Sequence, residues 1–378
     1  MNKSELRAIF PHLEKDHTYL NHAAISPQSD RVKEALERFI SDRNSGNIDN
    51  FEEWMKITEE TRGLIAQLIN TGGTDRISFM GNTSDAISVV AEGFDWNPGD
   101  EIILNTMEFP ANIQPFRILE RKGVKLIYLE PDDEGKVTRD MIEDAITSKT
   151  KFVSISAVQY LNGFRADLKS IGEVCQKNDI YFIVDGIQAL GAIEIDVEAC
   201  QIDALATGGH KWLMGPMGIG FLYLSEKLAN DLTPAKTGWL SVETPWELSN
   251  FNQEWLPISQ HLETGTFNMM GIVGFNASLS NLLGIGKEAV EKEIMELTAH
   301  LFANVLPING VQIITPKSPE HHAGIFTFSL PENSNAEEVV HRLQTEKMTI
   351  SAREGFVRIS PHYYNTTNEL DRVLDSIF

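Results

Sequence analysis

Residues 180–224 read IYFIVDGIQALGAIEIDVEACQIDALATGGHKWLMGPMGIGFLYL, and the reading of this stretch decides the fold. An apolar run at 180–184 ends in Asp185, with Gln188 one short turn later. A second run, at 202–206, breaks at Thr207-Gly208-Gly209 and delivers His210-Lys211. A third, at 219–224, follows a bend rich in Gly and Pro. Short apolar runs that stop at glycines and polar groups mark buried strands with a site at their carboxyl ends. Taken singly, an aspartate that ends a strand is a common turn former or helix cap, and a lysine after a glycine turn is ordinarily solvated. Together the two suit pyridoxal phosphate (PLP). Its reactive carbon forms a Schiff base with a lysine, and its ring nitrogen pairs with an acid.

Composition narrows the classes. At 378 residues the chain has room for two domains and a sizeable core, and 42% hydrophobic with 23% charged residues is ordinary for a globular protein. A formal charge of −22 argues against nucleic acid or an anionic membrane as partner, since both need basic patches. Two cysteines, Cys175 and Cys200, make no disulfide framework, so a reducing cytoplasm is the expected location. The charged segment 1–17 lacks the apolar core of a signal peptide, and no run approaches a membrane span. No metal site is expected.

With VDGIQA and GGHKW both intact, the chain resembles the class V aminotransferases of the fold-type I PLP enzymes. That family includes cysteine desulfurases, selenocysteine lyases, kynureninases and isopenicillin epimerases, and the resemblance covers nearly the whole chain. It implies an α/β fold of the PLP-dependent transferase type. A large domain would hold a mixed, mostly parallel seven-stranded sheet between helices, and a smaller α+β domain would follow. The expected division is a segment at 1–20 packing near the small domain, the large domain at 21–270 and the small one at 271–378.

The resemblance also assigns roles. Lys211 is the Schiff-base lysine and, once freed by the substrate amine, the base for the α-proton. Asp185 holds the ring nitrogen protonated, Gln188 bonds the ring hydroxyl, and His210 flanks the phosphate or the lysine. The polar start of a helix at Asn82-Thr83-Ser84-Asp85 is a ready anion site, and Thr83 and Ser84 match the family's phosphate-binding hydroxyls. Where the family has a serine just before the Gly-His-Lys, this chain has Gly208, and Thr207 is the candidate substitute. Phe109 occupies the ring-stacking position, and such a contact is worth about 1 kcal/mol. Tyr160 lies near the phosphate or ring-hydroxyl side. Thr266, in a Gly-Thr motif, is expected to reach the cofactor of a neighbouring subunit in a homodimer. Arg358 matches the arginine that grips the substrate carboxylate, for which a rigid guanidinium fork is suited. His22 is a candidate substrate-facing residue at the chain entry.

These parts activate an amino acid without choosing its fate. Desulfurases of the family carry a nucleophilic cysteine on a loop shortly before the substrate arginine. Here Ser351-Ala352-Arg353-Glu354-Gly355-Phe356-Val357-Arg358 runs across that gap with no cysteine and no room for the loop. The expected reaction is therefore C–S cleavage by β-elimination, or transamination, without a catalytic cysteine. The Phe109 and Tyr160 motifs keep kynureninase-type hydrolysis open, and epimerisation also fits. From another class, a PLP-fold protein that binds cofactor without chemistry would fit the fold, although such a protein tends to lose the lysine.

Overall fold

The computed structural model describes residues 3–332 and 334–378. Its centre is a seven-stranded sheet. In spatial order the strands are Ile77–Met80, Gly220–Leu224, Ala204–Gly208, Tyr181–Asp185, Thr150–Ser156, Glu101–Asn105 and Lys125–Leu129. Gly220–Leu224 runs antiparallel to both neighbours, and the other pairings are parallel. This is the mixed, mostly parallel sheet the sequence predicts.

Alternate residues go to opposite faces, and both faces are buried. Ile103, Val153, Phe182, Val184 and Leu205 join one apolar cluster. Ile102, Leu104, Phe152, Ile183 and Ala206 join the other. That two-sided burial is why these strands read as continuous apolar runs. On the first face, the helix Met269–Ile285 packs against Phe51–Ile69 and Asp30–Ser45. No single helix among the described residues is long and apolar enough to cross a membrane.

A second, three-stranded antiparallel sheet has the order Ser351–Arg353, Phe356–Ile359, Phe326–Phe328. It has its own core, with Leu297, Leu301, Leu343, Leu370 and Val373 supplied by the helices Lys287–Val305, Ala336–Thr345 and Thr367–Ile377. The N-terminal segment is stitched to this part. Thr18–Tyr19 pairs in parallel with Met348–Thr349, and Asn21 bridges Ser360.

Register places the chemistry. Ser156 pairs with Asp185, and Asp185 with Ala206, so three parallel strands end side by side. Lys211 follows five residues after Ala206 along the chain, beyond a glycine pair. The edge strand Ile77–Met80 ends on the same side and feeds the helix Thr83–Gly93, capped by the Asn82 side chain accepting from Asp85 N at 2.9 Å. The carboxyl edge of the sheet, a helix N-terminus and the second sheet thus converge on one cavity.

Candidate active site

The cavity has a volume of about 400 Å³ and is lined by Ala23, Ala24, Asn82, Thr83, Ser84, Phe109, Ala111, Tyr160, Ile187, Gln188, His210, Lys211, Arg353 and Arg358. A larger groove of about 750 Å³, between the turn at 132–136 and the loop at 312–318, carries no buried, unpartnered side-chain atom. The smaller cavity gathers the titratable and polar side chains Lys211, His210, Arg353 and Arg358 on one wall.

Asp185 is buried at the end of its strand. One carboxylate oxygen, Oδ1, accepts from the backbone N–H of Ile187 at 2.9 Å, while Oδ2 is buried with no partner. Burial pushes its pKa up against that backbone bond, and the neighbouring Glu108 pushes it the same way. Lys211 is held below the ordinary lysine range, chiefly by burial. The attraction of Asp185 works against this, and the repulsion of Arg358 and Arg353 adds to it. Its Nζ lies 5.5 Å from the centroid of the Phe109 ring. A lysine shifted downward by desolvation carries a larger share of the free amine, the form that condenses with a carbonyl or removes a proton.

Glu108 is a buried carboxylate that sequence reading passed over. It accepts from Asn105 Nδ2 at 2.7 Å, Ser156 N at 2.8 Å, Ser156 Oγ at 2.5 Å and Gln159 Nε2 at 2.8 Å. Four donors satisfy it, and it stands close enough to Asp185 to push that carboxyl's pKa up.

Arg358 is 1% exposed, yet no carboxylate pairs with it among the described residues. Its Nε donates to Ser351 Oγ at 3.2 Å and one terminal nitrogen to the Tyr160 carbonyl at 2.6 Å. Burial, then Arg353, pulls its pKa down to about 9. An arginine in that state awaits an anion. Arg353, also missed by sequence reading, lines the same cavity. The hairpin register pairs Ser351 with Arg358 and Arg353 with Phe356, so all four side chains share one face. A Glu-Gly turn between alternating residues is the signal that would have found it.

The other predicted residues divide. Thr83 Oγ1 is buried and unpartnered at the helix N-terminus, and Ser84 is exposed on the same wall. Phe109 lines the cavity and meets the Tyr160 ring edge-to-face at 5.3 Å. Burial raises the Tyr160 phenol pKa, and Glu354 adds to that. His210 lines the cavity, with its imidazole pKa lowered by burial and then by Lys211. Gln188 lines it too, donating from Nε2 to Ala23 O and accepting from Trp212 Nε1, each at 2.9 Å.

Asp185 is not itself on the cavity wall, although Ile187 and Gln188 just after it are, and three further predicted residues lie elsewhere. His22 does not face the cavity. Its Nδ1 donates to the Ser360 carbonyl and its Nε2 accepts from the Tyr364 hydroxyl, both at 2.9 Å, so it joins the N-terminal segment to the C-terminal part. The segment turns its small residues, Ala23 and Ala24, to the cavity instead. Thr207 is buried, its hydroxyl on the Gly208 carbonyl at 3.3 Å, and is not part of the cavity wall. It lies within a strand whose two faces are both core. Thr266 is exposed beside a separate depression that also includes Gly81, Lys236 and Gly265.

Two orphaned buried oxygens, Asp185 Oδ2 and Thr83 Oγ1, face needs that a pyridinium N–H and a phosphate would meet. Lys211 and the Phe109 ring share the same wall. The residues present fit PLP.

Comparison with known proteins agrees with that geometry. The family model described as "Aminotransferase class-V" matches residues 18–373. A "Probable cysteine desulfurase" of Methanothermobacter thermautotrophicus is 30% identical, covering 98% of this chain and 96% of its own. The "Uncharacterized aminotransferase YcbU" of Bacillus subtilis is 26% identical over 99% of this chain and 96% of its own. Among solved structures, a C-DES mutant with glycine covalently linked to its PLP cofactor superposes with a TM-score of 0.90 at 22% identity, covering 98% of each chain. The cysteine desulfurase CsdA of Escherichia coli gives 0.88 at 24% identity, covering all of both. A fold built around a lysine and an acid at the sheet's carboxyl edge, matched to one family along nearly its whole length, identifies this chain as a PLP-dependent enzyme of the class V aminotransferase family.

Proposed function

We propose that this enzyme cleaves a C–S bond in a sulfur-containing amino acid by β-elimination, without passing the sulfur to a cysteine of its own. One observation carries the proposal. The segment where a thiol-bearing loop would sit is a hairpin, Ser351–Arg353 against Phe356–Ile359, closed by Glu354 and Gly355 at φ 50° and 80°. Two residues of positive φ make the tight turn that joins twisted strands directly, leaving no chain for a loop. Cys175 is buried in a helix, its thiol pKa pushed up to about 12, and Cys200 is half-buried and also raised; neither lines the cavity. A protonated, buried thiol is a poor nucleophile.

In this reading Arg358 binds the substrate carboxylate through the guanidinium face left free by Ser351 and Tyr160. Arg353 adds positive potential on the same wall. Thr83 and the helix N-terminus hold the phosphate. Asp185 Oδ2, buried without a partner, would accept from the ring N–H of bound PLP, and a cation there would return that carboxyl to its ionised form. Bound in this way, PLP supplies a ring that withdraws electrons from the substrate α-carbon. Lys211 takes the α-proton. The Cβ–S bond breaks, and sulfur departs with the bonding pair as a thiolate. After addition of water the remaining carbons leave as pyruvate and the amino nitrogen as ammonia.

Residues 21–270 form the large domain in this reading, 271–378 the small one, and 1–20 its N-terminal partner. We place the enzyme in a reducing cytoplasm, in keeping with its two free cysteines. We also take it to act as a homodimer, with Thr266 turned toward a neighbouring subunit's phosphate. The exposed Trp246, Leu248, Phe251 and Trp255 supply apolar surface for such a contact.

The test is a panel of amino acids, including cysteine and cystine, assayed for pyruvate, ammonia and thiol or sulfide. Elimination yields stoichiometric pyruvate and ammonia, and the Lys211→Ala variant yields neither. Keto acid from the substrate's own skeleton would replace the proposal with transamination, anthranilate from kynurenine with hydrolysis, and inverted substrate with epimerisation. Binding of PLP with no turnover of any kind would leave a binding protein.

A further inference from the structure

We infer that Trp212 is a positioning residue whose indole N–H locks the Gln188 amide, so that an N–H donor and never the amide oxygen is presented to the ring hydroxyl of PLP. The inference rests on PLP occupying this cavity. The hydrogen-bond arithmetic admits one orientation. An indole nitrogen only donates, so the Gln188 atom 2.9 Å from Trp212 Nε1 must be the amide oxygen. A carbonyl oxygen only accepts, so the atom 2.9 Å from Ala23 O must be the amide nitrogen. A flipped amide would lose both bonds at once. Of the two hydrogens on Nε2, one is spent on Ala23, and no second acceptor meets that nitrogen among the described residues. Gln188 is 3% exposed and lines the cavity, so the remaining hydrogen is the polar contact it can offer there.

Trp212 is itself held from three sides. Its ring is fully buried, and its carbonyl accepts from His362 Nε2 at 2.9 Å. The imidazole is fixed in that tautomer because its Nδ1 accepts from the backbone N–H of Tyr363 at 2.9 Å. Gly191, at φ 94°, lies against the same peptide, where a Cβ would come within 2.4 Å of the Trp212 oxygen. The residue that follows the Schiff-base lysine is thereby tied to the C-terminal part of the chain, and through Gln188 to the N-terminal turn.

The consequence is electrostatic. A hydrogen bond donated to an oxygen that carries charge stabilises the ionised form and lowers the pH at which it loses its proton. An acceptor in the same place would do the reverse. Trp212 thus acts on the cofactor through Gln188 without touching it.

The experiment is a spectrophotometric pH titration of the cofactor's visible band in the holoenzyme, recorded after thermal melting shows each variant folded. Trp212→Phe keeps a buried ring and removes the donor; Trp212→Leu, likewise without a donor, replaces it where Phe does not fold. The expected result is a rise in the titration midpoint of about one pH unit, a tenfold gain in proton affinity. In a Gln188→Ala background the same Trp212 change should move the midpoint by less than about 0.3 unit, since the coupling partner is gone. An unmoved midpoint in the first background, or equal shifts in both, would overturn the inference. A wild-type chain that shows no visible band with PLP would instead remove the cofactor assignment on which it rests.

Discussion

Arg358 shows how the site trades stability for binding at the scale of one residue. A buried guanidinium with two neutral partners and no counter-charge among the described residues costs free energy, and its pKa of about 9 expresses that cost. In the function proposed above, a substrate carboxylate supplies the missing partner. Charge-assisted hydrogen bonds contribute about 1.5–3 kcal/mol. Arg358→Met should therefore lower kcat/KM by about a hundredfold, with most of the loss in KM. The same variant should melt no lower than the wild type, because it removes an uncompensated charge from a buried place. Steady-state kinetics and a melting curve check both halves, and a melting point several degrees lower would show that the arginine is chiefly structural.

At the scale of elements, the segment bearing Thr266 is anchored by a buried ion pair. Arg62, on the helix Phe51–Ile69, meets Glu263 with both terminal nitrogens, at 2.7 and 3.0 Å, and donates to the Ile77 carbonyl at 2.7 Å. Glu263 also accepts from Phe79 N at 2.9 Å. Helix, edge strand and the Gly-Thr segment are thus joined by two side chains with 6% and 7% exposure. Removing Glu263 leaves Arg62 only the exposed Glu59, whose Oε1 lies 3.3 Å from Nε, so the cost approaches the low end of a broken buried pair, about 3 kcal/mol. Glu263→Ala should lose about that much stability in denaturant titration, whereas Glu263→Gln, which keeps the acceptor for Phe79, should lose less. The hairpin at 351–359 gives a second prediction at this scale. With no thiol near the cavity, Cys175→Ser/Cys200→Ser should retain full turnover of a sulfur amino acid, and no protein-bound persulfide should appear on cyanolysis.

Across the whole molecule, the N-terminal turn, the lysine loop and the C-terminal part meet in a buried cluster of neutral histidines. His22 and His362 have ring centroids 5.1 Å apart, and His12 reaches the Tyr364 hydroxyl at 3.4 Å. Burial lowers His362 to about 4, and His22 is lowered by burial and by the neighbouring His362. In the unfolded chain these imidazoles titrate near about 6.5. As pH falls below that value the unfolded state takes up protons first, so the stability these groups carry is complete above about 6.5 and is lost toward pH 4. For His362 alone the span corresponds to about 3 kcal/mol. Wild-type stability should fall between pH 7 and 5, and His362→Gln, less stable at pH 7, should fall by less over the same interval. Equal slopes in the two proteins would remove the histidine from that account.

The sequence by itself determined the sheet and the reactive pair. Two-sided burial writes strands as apolar runs, and the glycines after Ala206 and the acid after Val184 are local features that need no partner to be read. Asp185 and Lys211 stand out for that reason, whereas Thr83, Phe109 and Arg358 are singled out only by the family resemblance. Tertiary structure alone decided what each polar side chain faces. His22 and Thr207 sit beside cavity residues in the chain yet turn to a carbonyl, and Arg353 turns into the cavity. Those outcomes depend on hydrogen-bond partners up to 342 residues away, as between His22 and Tyr364. Local patterns carry period and propensity but not the identity of a distant acceptor, so the satisfied histidine and the unsatisfied arginine look alike until the chain has folded.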